Sequence, residues 1–511
     1  MNTNRLSNAD IPSRTATPVP VDAPPSVKAT SSARKQIRAE QKRRMFPTVE
    51  YSSRVSHFDP RSEYHDFRGF FVLFWVALAI MAITSMLRNY KETGFPLVIS
   101  QWDLFTQDIW WLGLSDLTMT ATTYLCIPLQ KLHMRSTGNF RWNKGGIIIQ
   151  SIFQALWLSM WVGLPFILEW AWTAQVFFTM HTLVLFMKMH SYAFYLGHLS
   201  ETRRRLQDLD RPEGKSRRPV LRYPSGGSIK HDIRAGSSSP TTSRTSSNEL
   251  TTLREDLAFE LTSPLGHVTY PQNLTYANFT DFLFCPTLCY ELEYPRTQAT
   301  NWLEVFYKTL AVFGCIFLLT ITSEQFIIPA LQESSWRFHE ATASHLDRAL
   351  VLAETISMLL FPFMVCFLLI FLVIFEYVLG AFAELTCFAD RHFYADWWNS
   401  CDWLEFSREW NVPVHHFLQR HVYSASRGVS LSKPAATLIT FFISALAHEL
   451  VMGCITKKVR GYGFVAMMLQ MPIVMIQRSK WVRGRTLLNN VLFWCSMILG
   501  LSMMCALYVL V

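Results

Sequence analysis

Hydrophobic positions in this chain fall in long unbroken runs separated by polar tracts, without the alternation of a half-buried strand. Runs able to cross a bilayer cover Phe70 to Leu87, Leu104 to Leu125, Ile147 to Trp170, Thr173 to Leu196, Trp302 to Thr322, Ala349 to Leu379, Ala435 to Cys454, Gly463 to Ile476 and Leu488 to Val511. This predicts about nine spans. The eighth is the weakest, because Pro472 interrupts a short run. Only helices and closed barrels satisfy backbone groups in lipid, so runs of this kind predict an all-α, multi-pass membrane protein.

The polar tracts divide the chain. Residues 1–66, rich in Pro, Ser, Thr and basic side chains, read as a disordered basic N-terminal region. Residues 67–197 hold four spans. Residues 198–262 carry Arg203-Arg204-Arg205, Arg217-Arg218 and a Ser/Thr tract from Ser237 to Thr252, and read as a disordered loop, either a phosphorylation target or a plain solvated linker. Residues 263–511 hold the remaining spans and a further polar stretch, about 381 to 434, that is packed with aromatics. No repeat of fixed period is visible, and the first apolar run begins near residue 70 without the form of a cleavable signal.

Composition supports the membrane class: of 511 residues 50% are hydrophobic, with 38 Phe, 17 Trp and 20 Met, too apolar for an ordinary soluble enzyme of this size. The mean hydropathy is only +0.16 because the polar tracts dilute it. Lys28, Arg34, Lys35, Arg38, Lys42, Arg43 and Arg44 stand against the single acid Glu40, which places this arm in the cytosol, near anionic lipid. No nucleic-acid recognition module accompanies it, so no nucleic-acid partner is expected. The ten Cys show no zinc spacing, and Cys285 and Cys289 have no second pair, so no metal site is expected.

Against this background His448 stands out, an ionisable side chain inside the run that starts at Ala435. At membrane depth such a residue is a candidate functional site. Ser432 is placed to cap the helix, with Lys433 and Pro434 in its first turn. His448 then lies roughly 21 Å from Pro434, and Ser444, four residues earlier, shares its face. The bland reading is a histidine that bonds a neighbouring helix. The polar stretch before it runs Phe388-Ala389-Asp390-Arg391-His392-Phe393-Tyr394-Ala395-Asp396-Trp397-Trp398-Asn399-Ser400 and later Ser407-Arg408-Glu409-Trp410-Asn411-Val412-Pro413-Val414-His415-His416. Physically this suits either a headgroup-level aromatic belt or a cavity mouth where Arg408, Tyr423 and Lys433 hold a phosphate-bearing ligand.

Phe393-Tyr394-Ala395-Asp396-Trp397-Trp398-Asn399 resembles the FYxDWWN signature of the membrane-bound O-acyltransferase superfamily, in the branch of sterol O-acyltransferases and diacylglycerol acyltransferases. Trp410 to His415 and Ser444 to Glu449 resemble the two further signatures of that branch, in order. Tyr270 to Thr275, Pro286 to Glu291, Tyr294-Pro295-Arg296 and Met187 to Tyr192 extend the resemblance over roughly residues 67–197 and 263–511. His416-Phe417 departs from the Lys-Trp of many relatives. With Leu469-Gln470-Met471-Pro472, the stretch looks most like the fungal sterol O-acyltransferases.

The resemblance implies a role for each matched residue. His448 would be the catalytic base, and Asn411 would polarise the thioester carbonyl or orient the reacting groups. Arg408, His415, Tyr423, Lys433 and Ser444 would contact acyl-CoA, and Trp397, Trp398 and Asn399 belong to the motif linked to that substrate. Glu449 and Gln470 would support the histidine. It further implies an endoplasmic-reticulum membrane enzyme that uses acyl-CoA as a substrate, needs no cofactor, esterifies a membrane sterol and forms a homo-oligomer, dimer or tetramer.

The chemistry is consistent with this: a neutral imidazole can take a hydroxyl proton, and a thioester needs no covalent intermediate. No Gly-x-Ser-x-Gly elbow, His-Glu-x-x-His pair or glycine-rich phosphate loop is present. Three alternatives remain open at this point: a diacylglycerol acyltransferase, a non-catalytic sterol sensor, and a transporter in which Glu354, Glu376 and His448 line a path. Asn273-Leu-Thr and Asn278-Phe-Thr are formal glycosylation sequons that matter only on a lumenal loop. Both are expected to be unmodified; a glycosidase-sensitive mass shift lost in Asn273 and Asn278 variants would reverse that orientation.

Overall fold

The computed structural model describes residue 44 and residues 46–59, 68–96, 106–210, 242–264, 266–340, 345–479, 482 and 484–510. In chain order the helices that position the site are α1 (Arg68–Thr93), α2 (Ile109–Thr123), α3 (Ile147–Ile167), α4 (Trp172–Asp210), α5 (Thr242–Glu260), α6 (Tyr276–Phe284), α7 (Trp302–Thr322), α8 (His345–Phe371), α9 (Trp403–Glu409), α10 (Val412–Phe417), α11 (Lys433–Thr456), α12 (Tyr462–Gln477) and α13 (Thr486–Leu510). No strand occurs among the described residues, only isolated bridges such as Arg54 with Asp390.

The all-α, multi-pass expectation holds. Among the described residues, six helical stretches are long and apolar enough to cross a membrane: Gly69–Thr93, Trp142–Ile167, Trp302–His339, His345–Leu385, Lys433–Thr456 and Thr486–Leu510. The other three expected spans are helical but differ in kind. α2 has 15 described residues, and α12 is a shorter apolar helix with Pro472 inside it. α4 buries Gln175, Thr179, Thr182 and Lys188 in the bundle, so its inner face is polar and partnered by protein.

Two expectations of disorder need correction. α4 does not stop at 197 but continues to Asp210, and α5 fills 242–260. The continuation is stable because Leu199, Ser200 and Glu201 are buried and Arg141 pairs with Glu201 at 2.5 Å. Residues 211–241 of that loop lie outside the described residues. Likewise, residues 46–59 of the N-terminal region form an ordered strap, whereas the basic arm up to Arg43 lies outside the described residues.

The strap is held by buried groups that have no neighbours in sequence. Phe46 enters the main core, its amide donating to Glu260 at 3.3 Å and the Arg420 guanidinium lying 4.7 Å above its ring. Burying such a ring contributes about 1.5–3 kcal/mol. Val49 N–H donates to Glu291 at 2.9 Å, and Glu291 also pairs with Arg420 at 3.0 Å. Arg54 forks onto Asp390 at 2.9 and 2.7 Å. Ser56 donates to Glu376, which also accepts from Tyr394 Oη at 3.0 Å and from Lys308 at 3.2 Å. Glu376 lies in the π-helical turn Leu372–Val378 that continues α8. The strap thus binds the end of α8 to the aromatic signature around Tyr394.

Replacing Arg54 with Ala would leave the buried Asp390 carboxylate without its cation, a loss of about 1–3 kcal/mol for an unpaired buried acceptor. The expected result is a lower melting temperature and new protease cleavage within residues 46–59, followed by mass spectrometry of the fragments; unchanged stability and cleavage would show the strap is not held this way.

Candidate active site

α11 begins as anticipated, with the Ser432 hydroxyl accepting from Ala435 N–H and Pro434 in the first turn. Its protein-facing side buries Phe441, Ala445, Glu449 and Gly453. Phe442, Ile443 and Leu446 are exposed and form its lipid-facing stripe. At 3.6 residues per turn, His448 lies roughly 120–160° around the helix from each of these three. Its face is shared by buried Phe441 and half-buried Ser444. The ring therefore points away from the lipid-facing stripe.

The imidazole itself is exposed on α11. His448 Nδ1–H donates to the Ser444 carbonyl at 2.8 Å. That bond makes Nδ1 the donor, and in the neutral tautomer it selects, Nε2 is the ring's acceptor. Chemically, this is an imidazole ready to accept a proton.

Glu449 points elsewhere. Its carboxylate accepts from Gly461 N–H at 2.7 Å, Phe464 N–H at 3.1 Å and Tyr508 Oη at 3.0 Å, tying α11 to the start of α12 and to α13. Gly461 stands at φ 81°, a left-handed conformation that glycine adopts without strain, just before α12. Its support of the histidine is through the fold. Gln470, half-buried on α12, makes one described contact, its Nε2 donating to Met467 Sδ at 3.4 Å.

The aromatic stretch divides into core and rim. Trp397 is only 1% exposed, with ring centres 4.9 Å from Trp410, 5.1 Å from Phe371 and 5.6 Å from Trp494. It is a core residue here, and a direct ligand contact is ruled out while these rings enclose it. Trp398 is half-buried, its carbonyl accepting from Trp494 Nε1 at 3.1 Å, and Asn399 is exposed.

Asn411 caps α10: its side-chain oxygen accepts from Val414 N–H at 3.1 Å. The cap assigns oxygen and nitrogen within the amide and leaves the Nδ2 donors free to meet an incoming carbonyl. Arg408 is exposed at the end of α9, and His415 follows one turn after Asn411. The three therefore lie along one short run. Tyr423, half-buried, ends the π-helical turn Leu418–Tyr423, and Lys433 is exposed at the start of α11. No hydrogen bond joins Asn411 to His448 among the described residues; the two reach the region from α10 and α11 separately. Nor does any group of three or more His, Cys, Asp or Glu among those residues suit a metal ion.

Ser56, Glu376 and Tyr394 were missed as a unit by sequence reasoning. The one available signal was Glu376 itself, one of two acids in its apolar run. The Asn273 amide is buried and donates to Tyr290 Oη at 2.8 Å.

Comparison with known proteins adds context to this geometry. The MBOAT, membrane-bound O-acyltransferase family, matches residues 99–510. "Probable sterol O-acyltransferase 2" of Schizosaccharomyces pombe is 40% identical over 447 residues, 87% of this chain and 87% of that protein. "Sterol O-acyltransferase 2" of Saccharomyces cerevisiae is 36% identical over 469 residues, 90% of this chain and 69% of its own. "Diacylglycerol O-acyltransferase 1" of Bos taurus is 34% identical over 242 residues, 47% of this chain and 48% of its own.

The rim imidazoles give a prediction in pH. Burial, then the charge of Arg408, pushes His415 down to about 4. Burial, then His415 and Arg54, does the same to His416, and burial with Arg54 brings His392 to about 4. Unfolded histidine titrates near 6.5, so between about 4 and 6.5 the unfolded chain binds more protons. Stability is complete above that window and declines as pH falls through it. The melting temperature should drop from pH 7 to pH 5, and a His416→Gln variant should show a shallower drop; equal slopes would mean His416 does not titrate on unfolding.

Proposed function

This chain belongs to the membrane-bound O-acyltransferase family and is an acyl-CoA-dependent O-acyltransferase, and we propose that it transfers a long-chain acyl group to the 3-hydroxyl of a membrane sterol. The observation that carries the reading is His448 on the face opposite the lipid-facing stripe, with Nδ1 held by the Ser444 carbonyl and Nε2 the ring's acceptor.

In this reading Nε2 takes the proton of the sterol hydroxyl as its oxygen attacks the thioester carbonyl, a general-base contribution of about 10² to 10⁴. The Asn411 Nδ2 donors stabilise the charge that develops on the carbonyl oxygen, worth about 10² to 10³ in rate. The carbon–sulfur bond then breaks, and the proton held by His448 passes to the departing coenzyme A thiolate. The products are the steryl ester and free coenzyme A. Arg408, His415, Tyr423, Lys433 and Ser444 hold acyl-CoA, with Trp398 and Asn399 at its rim. Trp397 supports them from the core, and Glu449 and Gln470 act as positioning residues.

The same reading assigns the protein to the endoplasmic-reticulum membrane as a homo-oligomer. The sterol acceptor is favoured over diacylglycerol because the fungal sterol relatives match nearly the whole chain, whereas the bovine diacylglycerol relative matches about half of it.

The test uses membranes from cells lacking their own ester synthesis, supplied with labelled acyl-CoA. Steryl ester is expected, and triacylglycerol would instead identify diacylglycerol as the acceptor. His448→Ala should lower turnover by about 10² to 10⁴ without loss of inserted protein. Asn411→Asp, which keeps the α10 cap but removes the donor, should lower kcat by about 10² or more with a smaller change in acyl-CoA KM. Normal turnover in His448→Ala would refute the mechanism.

A further inference from the structure

The helix that carries His415 changes its winding just beyond Phe417. It continues as the π-helical turn Leu418–Tyr423, with the Ser424 amide donating to the Gln419 carbonyl five residues back. Such turns are rare and often mark functional sites. The winding matters here because His415 and Tyr423 are eight residues apart. At about 100° per residue, a regular α-helix would turn Tyr423 roughly 80° away from His415 and set it over His416 instead. A π turn takes in one residue more, which returns Tyr423 to within roughly 20° of His415. The two imidazoles do face different sides: Arg408 is the charge acting on His415, whereas Arg54, His392 and Arg420 are among the groups acting on His416.

Two side chains of the turn hold this winding from outside. Arg420 is buried, its Nη1 donating to the Tyr290 carbonyl at 3.0 Å and pairing with Glu291 at 3.0 Å. Its guanidinium also lies 4.7 and 4.9 Å from the ring centres of Phe46 and Tyr195. His421 Nε2 lies 3.0 Å from Ser191 Oγ, which accepts from the Tyr290 amide at 2.9 Å. Both side chains thus tie the turn to the backbone of Tyr290. A buried carboxylate without its cation is costly, so Glu291 keeps Arg420 in this one place. The pair fixes how far the turn rotates.

We propose that Arg420 is a positioning residue for acyl-CoA, holding the π-helical turn so that Tyr423 and His415 meet the ligand from one face. It lies buried behind the turn and acts through Tyr423. The inference rests on the acyl-CoA contacts assigned above to His415 and Tyr423.

Steady-state kinetics of the full chain in membranes, with acyl-CoA varied and sterol in excess, test it. Arg420→Met should raise the acyl-CoA KM by about tenfold, the worth of one hydrogen bond to a charged ligand, with kcat within about twofold. Arg420→Lys keeps the charge without the planar fork and should show a smaller rise in KM. It is the variant read if Arg420→Met does not insert, and a normal KM there overturns the proposal. A merely structural role would lower the amount of active enzyme, giving a reduced kcat at normal KM, and that result also overturns it. Deleting Gln419 removes the extra residue and leaves Tyr423 in line with His415 on a regular helix. In that background Arg420→Met should no longer raise KM, and an undiminished rise would show that Arg420 does not act through the turn. Tyr423→Ala separates the two readings. A normal KM in that variant sinks the acyl-CoA contact and the positioning with it; a raised KM there beside a normal KM in Arg420→Met sinks the positioning alone.

Discussion

The rotation of α11 about its own axis decides where His448 points, and the three-way clasp of Glu449 sets that rotation. Adjacent helical residues project about 100° apart. Once the Glu449 carboxylate is held by Gly461, Phe464 and Tyr508, the imidazole beside it has little choice of direction. The lipid-facing stripe of Phe442, Ile443 and Leu446 then falls on the far side. A carboxylate inside a membrane bundle is tolerated because each of its oxygens meets donors. The cost of burying it is what makes the orientation specific.

Similar nodes organise the rim. Asp390 and Glu376 collect donors from the strap, from α7 and from the Phe393-to-Asn399 signature, and so bring four distant parts of the chain to one place. Around them Trp397, Trp410 and Phe371 close an aromatic core that makes the rim rigid. Acyl transfer of the kind assigned to this chain needs its donors and base preorganised, because water is scarce to correct their placement. The signature therefore serves mostly as scaffold, with only its half-buried and exposed members available to a ligand.

Much of this was legible in the sequence. The apolar runs predicted the helices, and Ser432, Pro434 and Asn411 sit at helix starts because their chemistry suits caps and first turns. Other features were not legible. The strap looked like any Pro- and Ser-rich tail, since Phe46, Arg54 and Ser56 gain order from partners more than a hundred residues away. The extension of α4 to Asp210 was hidden in the same way by its partner Arg141. The aromatic stretch gave no local sign that Trp397 faces inward while Asn399 faces out.

The group that orients His448 is a main-chain carbonyl, the same oxygen that the helix ladder assigns to the amide of residue 448. In the serine-protease triad the histidine is aligned by an acidic side chain, which substitution can delete. Here the aligning element is carried by the backbone, so an alanine scan of the neighbourhood would pass over it. Position 444 is accordingly released from that duty, and its side chain can change while the imidazole keeps its tautomer.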